Sequence, residues 1–146
     1  MADLVAPLTP GSVDAVRQVV YGTLAAQWPS LHPTVPIDYE NRGSVDPDSA
    51  VGPFVSVDIV FTDSRQVDLN QTPKVRYLGA LWFGVMVKCG EGLAEGALLQ
   101  ASLTTMFALK SVATIQMRAA TPLPGKEVKG WYLLPLRIPF KFDALS

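Results

Sequence analysis

The sequence predicts an α+β domain with a mainly antiparallel sheet and two helices packed on one face. The chain has 146 residues, a length that fits one domain with a core large enough to be stable alone. Two stretches have the apolar spacing of helices and five have the patterns of strands, in the order helix, short strand, strand, long strand, helix, strand, strand. Because helices and strands do not alternate regularly, this order favours a mainly antiparallel sheet over a doubly wound parallel one.

The first helix is predicted in "SVDAVRQVVYGTLAAQW". Its apolar side chains recur at steps of three and four: Val13, Val16, Val20 and Leu24. Ser12 suits the N-cap, and the helix is expected to end near Trp28, because Pro29 removes a donor and restricts the residue before it. Residues 1–11 are predicted to be a flexible N-terminal segment.

Two long polar connections are predicted, at residues 41–53 and 62–74. Between residues 29 and 53 the prolines leave room for only a short strand, at "TVPIDYEN". The stretches "RGSVDPDSAVG" and "TDSRQVDLNQTPK" are polar and rich in turn formers. We expect the first of these stretches either to be mobile or to need a partner that orders it.

The middle of the chain predicts two strands. In "FVSVDIVF" the apolar residues alternate with polar ones, and "VRYLGALWFGVMVKC" continues the same pattern over a longer run. In the longer strand Arg76, Trp82 and Lys88 share the face opposite the apolar one, so that face is predicted to be partly wet. Gly79 and Gly84 are interpreted as bends or as points where another backbone approaches closely.

The second helix is predicted in "GEGLAEGALLQASLTTMFALK", lying on the sheet. Leu99, Leu103 and Met106 fall at i, i+4 and i+7, and Leu98 and Phe107 are expected to widen this apolar stripe. "VATIQM" and "VKGWYLLPLRIPFKF" supply two more strands, joined by "RAATPLPGKE".

The last strand contains two prolines. In an extended strand Pro135 and Pro139 lose donors on one edge only, which predicts an edge strand that is paired on one side and donor-poor on the other. Arg137 and Lys141 lie on the face opposite its apolar residues. Two interpretations stay open: the prolines block runaway edge pairing, or the edge forms a subunit contact made by side chains.

Composition excludes several classes of function. With 12 basic and 13 acidic residues and no block of like charge, the chain lacks the electrostatic footprint of a protein that reads nucleic acid directly. No apolar run is long enough to span a bilayer, and we expect a soluble protein of a reducing compartment with one cysteine, Cys89. The low charged fraction, 17%, points toward self-association.

No catalytic, cofactor-binding or metal-ligating residues are predicted, and the chain is not expected to be an enzyme. His32 is the sole histidine, so a metal site or catalytic triad has no second imidazole. Cys89 is interpreted as a small buried residue, since Lys88 alone is thin support for a reactive thiolate. "GEGLAEG" lacks the lysine and serine of a phosphate loop and carries Glu91 and Glu95, which would repel a phosphate.

Several short motifs occur in a familiar order. The first helix ends in "AAQWPSL", an extended "IDYEN" follows, a strand reads "PFVSVDIVF", a long strand "YLGALWFGVMVKCGEG" runs into a helix, and the closing strand is "GWYLLPLRIPFKF". Over residues 12–142 this order resembles the tail terminator, or tail completion, proteins of long-tailed bacteriophages. The resemblance implies a structural virion protein without catalytic residues or cofactors.

The resemblance further implies a homo-oligomeric ring, usually of six copies, at the head-proximal end of the tail tube. There it ends tube polymerisation and offers a surface to the head-completion protein, so the expected location is the virion tail, assembled in the host cytoplasm. Its expected partners are other copies of itself, the tail tube protein and the head-completion protein. By position, the resemblance places Asp38, Glu40, Asn41 and Arg42 near the ring contacts. It also implies an exposed sheet face bearing Arg76, Trp82, Lys88, Arg137 and Lys141.

Two alternatives remain from the sequence. One is another assembly protein of the same particle, such as a head–tail connector or a tail tube subunit. The other, from a different class, is a small ligand-binding or enzymatic α+β domain, although the sequence contains no convergent set of polar residues that would form its site.

Overall fold

The computed structural model describes residues 14–39, 50, 52–66, 74–90, 92–112 and 115–145. They form two helices, α1 (Asp14–Leu31) and α2 (Ala94–Phe107), and eight strands. The strands are β1 (Ile37–Tyr39), β2 (Phe54–Gln66), β3 (Lys74–Lys88), β4 (Ser111–Val112), β5 (Ile115–Met117), β6 (Thr121–Pro122), β7 (Lys126–Val128) and β8 (Trp131–Leu145). The predicted segment 1–11, its N-cap Ser12 and most of the predicted loop 41–53 lie outside the described residues.

One sheet contains all eight strands, in the order β1-β2-β3-β8-β5-β4, with β6 and β7 also paired to β8. Only the β1–β2 pair is parallel, and every other pair is antiparallel. Both helices cover the same face of this sheet. The predicted α+β class with a mainly antiparallel sheet is confirmed.

Strand β2 is longer than the sequence predicted. It continues to Gln66, and its last part pairs with β3 as far as Val75. The predicted loop over residues 62–74 is therefore wrong at residues 62–66, and β3 begins at the last residue of that loop, Lys74. Residues 62–66 are all exposed, so their polarity reflects solvated strand faces rather than a loop. Residues 67–73 lie outside the described part of the chain.

Strand β8 is central, and the prediction of an edge strand is wrong. It pairs with β3 along its whole length on one side and with β5, β6 and β7 on the other. The carbonyl of Pro139 accepts the N–H of Arg118 (2.8 Å), and the carbonyl of Pro135 accepts the N–H of Leu123 (3.0 Å). Since these carbonyls face β5 to β7, the missing N–H groups face the same way, and the ladder with β3 stays complete.

The partner on the donor-poor side of β8 is broken into short pieces. Strands β5, β6 and β7 have three, two and three residues. All of β6 and the first two residues of β7 belong to the stretch "RAATPLPGKE" that the sequence predicted as a connection. Such short strands accept few hydrogen bonds from the backbone N–H groups of β8. The prolines therefore define where this neighbouring ladder is interrupted, rather than where the sheet ends.

Helix α1 runs through Pro29 and ends at Leu31, so the predicted end at Trp28 is wrong. The last turn is completed by the N–H of His32, which donates to the Trp28 carbonyl (2.8 Å). The buried indole Nε1–H of Trp28 also donates to the Val35 carbonyl (2.8 Å). These contacts of Trp28 hold the final turn in place despite the donor that proline removes.

Helix α2 confirms part of the predicted apolar stripe. Leu99, Leu103, Met106 and Phe107 are buried, but Leu98 is 59% exposed and does not widen the stripe. With about 100° of rotation per residue, Leu98 points away from these four side chains. The core lies between this stripe, the buried side of α1 and one face of β2, β3 and β8.

Two contacts fix α2 on the sheet. Phe107 stacks on Phe83 of β3 with ring centroids 5.6 Å apart. The side-chain amide of Gln100 donates to the carbonyls of Leu134 (3.2 Å) and Pro135 (3.1 Å) on β8. Neither described helix is both long and apolar enough to cross a lipid bilayer.

Candidate functional site

The candidate site is the sheet face that the helices leave uncovered, which we call the open face. It carries the even-numbered side chains of β3 and the side chains opposite them on β2 and β8. At its centre Asp58, Trp82 and Arg137 are aligned across the three strands. The structure places five of the predicted interface residues on this face: Arg76, Trp82, Lys88, Arg137 and Lys141.

Trp82 and Arg137 form the centre of the open face. The Arg137 guanidinium lies 6.0 Å from the centroid of the half-buried Trp82 ring, at the outer limit of a cation–π contact. Within the described residues Arg137 has no ion pair. The centre of this face therefore combines an aromatic surface with a cation that has no anionic partner there.

An aromatic cluster forms one end of the open face. The ring of Trp131 meets Phe54 edge to face, with centroids 5.1 Å apart, and the Lys88 ammonium lies 5.8 Å from the Trp131 ring. Phe54 and Trp131 are 3% and 6% exposed, respectively. Both rings are therefore buried at this end of the face, with the half-buried Lys88 side chain next to Trp131.

The other end of the open face carries an ion pair. Arg76 donates from Nε to Asp143 Oδ1 (2.8 Å) and from Nη2 to Oδ2 (3.1 Å). The hydrogen bonds from Arg76 and the negative charge of Asp143 raise the pKa of the Arg76 guanidinium. This two-pronged contact joins the first part of β3 to the last part of β8.

The remaining predicted interface residues are not all brought together. Asp38 on β1 pairs with Ser56, so it lies at the β1 edge of the open face. Lys141 lies on the same face between Leu78 and β5. Three further predicted interface residues follow β1 and lie outside the described residues: Glu40, Asn41 and Arg42.

Sequence reasoning missed Phe54 as part of this face. Strict alternation from Phe54 through Ser56 and Asp58 to Val60 was visible in the sequence, and it places all four side chains on the open side. Sequence reasoning also overlooked that α2 carries only one charged residue, Glu95, which indicates an apolar surface on that helix.

Cys89 is exposed at the end of β3, so its interpretation as a buried residue is wrong. Desolvation and the neighbouring Glu127 carboxylate raise the pKa of the Cys89 thiol. A raised pKa leaves little thiolate at neutral pH, because the negative form is disfavoured. The thiol is therefore a weak nucleophile.

His32 connects the two helices. Its Nε2 lies 2.8 Å from the Ser102 hydroxyl oxygen on α2, and its ring packs on Trp28 with centroids 4.6 Å apart. Beside it, a groove of about 340 Å³ runs from the end of α1 to β1. The groove lining is mostly apolar, with His32 and Tyr39 as its titratable side chains.

The described residues contain no group of three or more His, Cys, Asp or Glu side chains that could hold a metal ion. What the fold presents instead is a broad sheet face with aromatic and cationic side chains. This geometry defines a small α+β protein whose main candidate site is an exposed sheet face.

Comparison with known proteins identifies the family. Residues 14–140 match the family model described as phage tail terminator protein. The chain therefore belongs to the phage tail terminator family, and it is a structural protein of a phage tail. The resemblance stated from the sequence motifs is confirmed. No curated protein matches the chain significantly.

Solved structures share the fold. One has a TM-score of 0.67 and 15% identity, covering 90% of this chain and 96% of its own. Another, described as the virion of a native gene transfer agent particle, has a TM-score of 0.58 and 16% identity, covering 92% of this chain and 96% of its own. At these identities the likeness concerns the fold alone.

Proposed function

We propose that this protein forms a ring, usually of six copies, on the head-proximal end of the tail tube. The ring ends tube polymerisation and presents a surface to the head-completion protein. The observation that carries this proposal is the family match over residues 14–140. The assembly takes place in the host cytoplasm, and the subunit remains in the virion tail.

The physical requirements of such a cap support the proposal. A cap must close laterally, because a contact that repeats without closing produces a filament. It must also present different surfaces to the tube and to the head. A subunit with one helix-covered and one open sheet face provides such distinct surfaces.

We assign the lateral and axial contacts of the ring to the open face and to the segment after β1. The open-face residues are Asp38, Arg76, Trp82, Lys88, Arg137 and Lys141. Glu40, Asn41 and Arg42 are proposed to extend the contact beyond β1. Aromatic and arginine side chains are enriched at protein interfaces, which supports this assignment.

Native mass across a concentration series tests ring formation. Six copies of the 15.7 kDa chain give a particle of about 94 kDa, with six-fold projections in negative stain. A discrete ring supports the cap, whereas open filaments growing with concentration would identify a tube subunit. If the protein is monomeric, mixing it with assembled tubes distinguishes a cap that closes only on its tube from a protein that does not bind tubes.

The second candidate is a small ligand-binding domain that uses the groove beside His32. It is supported by the apolar and aromatic lining of that groove. A rise in melting temperature of several degrees with a small-molecule panel, lost in Tyr39→Ala, would favour it.

A further inference from the structure

Helix α2 has an apolar outer face. Leu93, just before it, and Leu98 are 50% and 59% exposed, and three exposed alanines surround them: Ala94, Ala97 and Ala101. We call these five residues the outer face of α2. A surface helix normally carries charged and polar side chains on its solvent side, and a helix that is apolar all round is normally buried.

The buried side of α2 already accounts for its packing within one copy. Leu99, Leu103, Met106 and Phe107 fill the core. Glu95 is the only charged residue in the helix. Within the described residues the five apolar side chains of the outer face therefore have no packing role.

The open face offers a complementary surface. Its centre exposes apolar area from Val60, which is 42% exposed, and from the half-buried Trp82, Met86 and Leu133. A helix lying across an apolar sheet face is the packing that this fold already uses on its other side.

The cations of the open face outnumber its exposed carboxylate at the centre, Asp58, and so complement a negative charge on the partner. The open face carries Lys88, Arg137 and Lys141, none of which has an ion pair among the described residues. The outer face of α2 has the carboxylate of Glu95 beside it. Opposite charges at the rim favour one register of contact and disfavour contacts between two like surfaces.

We infer that the occupant of the open face is a second copy of this chain, which lays the outer face of its α2 helix across Trp82 and Arg137. The contact is head to tail, because each copy contributes its helix surface to one neighbour and its sheet surface to the other. A head-to-tail contact closes into a ring when its rotation allows it. This inference rests on the proposed ring and names the surfaces that form it.

Two variants test the contact, each blocking one surface. Leu98→Gln replaces the more exposed leucine of the outer face of α2 with a neutral polar side chain, and Arg137→Glu reverses the charge on the open face. Both side chains contact solvent, so the folded subunit is expected to persist, as checked by circular dichroism. Each variant alone is expected to weaken self-association at least about tenfold, the effect of losing one buried leucine or one close charge pair.

Mixing the variants is the decisive measurement, made by analytical ultracentrifugation. Leu98→Gln retains a working sheet surface and Arg137→Glu retains a working helix surface, so an equimolar mixture is expected to form heterodimers and no larger species. An isologous contact between two α2 helices predicts instead that Arg137→Glu alone still associates and that mixing restores nothing. Either of those results would overturn the inference.

Matched controls separate this contact from general charge effects. Gln18→Glu places the same charge on an exposed position of α1 and is expected to leave self-association unchanged. Lys141→Glu serves as a second sheet-face variant should Arg137→Glu misfold. If the native protein is monomeric up to millimolar concentration and forms no ring on assembled tubes, the second copy is not the occupant.

Failure of this inference differs from failure of the proposed function. If native rings form and both variants still form them, the assigned surfaces are wrong and the cap remains. If the native protein neither forms rings nor binds tubes, the proposed function itself fails.

Discussion

At the scale of single residues, the clearest constraints come from positions where the backbone of one strand approaches another. A Cβ added to Gly79 would overlap the Val60 carbonyl oxygen and lie 2.7 Å from Phe140 Cζ. The sequence correctly indicated a close approach at this glycine. It could not indicate which neighbour approaches, because that depends on the register of β2 with β3.

Gly79→Ala is expected to destabilise the fold by about 1–3 kcal/mol, since the backbone of β2 must move. That corresponds to a fall in melting temperature of roughly 3–10 °C. Gly22→Ala is the matched control: it lies inside α1 with nothing within 4 Å of the added Cβ, and it should stabilise by up to about 1 kcal/mol. Equal melting temperatures for the two variants would contradict the assigned register.

The Cys89 thiol gives a second prediction at this scale. Because desolvation and Glu127 raise its pKa, thiol labelling should be slow at neutral pH despite exposure and should accelerate only above the pH at which an ordinary cysteine reacts. Glu127→Gln removes the carboxylate and should shift the labelling profile to lower pH. An unchanged profile in Glu127→Gln would show that the carboxylate does not act on the thiol.

At the scale of elements, the prolines of β8 show what the sequence can and cannot provide. Their spacing correctly indicated that both missing donors face the same side. It did not show what occupies that side, because the polar, proline-rich stretch after β5 has no strand periodicity and yet contributes β6 and β7. The same limit explains the missed end of β2, where solvated strand and loop share a polar composition.

The central position of β8 predicts the effect of changing its prolines. Pro135→Val and Pro139→Val should leave the native mass unchanged, because their edge is already covered, and each should lower stability by about 0.4–1 kcal/mol by freeing the unfolded chain. Ile138→Pro is the contrasting variant. Its N–H faces β3, so its loss breaks the ladder opposite Leu81 and should cost at least about 2 kcal/mol.

Chemical denaturation measures the free energy of unfolding of all three variants. Filaments or a higher native mass in either valine variant would restore the edge-strand interpretation. A stable Ile138→Pro variant would contradict the assigned direction of the β8 donors.

At the scale of the whole molecule, the architecture and family followed from the sequence, while the surfaces did not. Element order and apolar periodicity were sufficient for the α+β class, because they depend on local spacing. The grouping of Asp58, Trp82 and Arg137 depends on the register of three strands, which spacing alone does not determine. The apolar outer face of α2 was visible in the sequence but acquired meaning only once its buried side was known.

The proposal that this protein caps tail tubes can be tested by polymerising the tail tube protein with increasing amounts of this protein and measuring the length distribution of the tubes. A cap predicts that tubes stop growing at amounts far below those of the tube subunit, with this protein located at one tube end in electron micrographs. Tubes of unchanged length, or decoration along their whole length, would contradict the account.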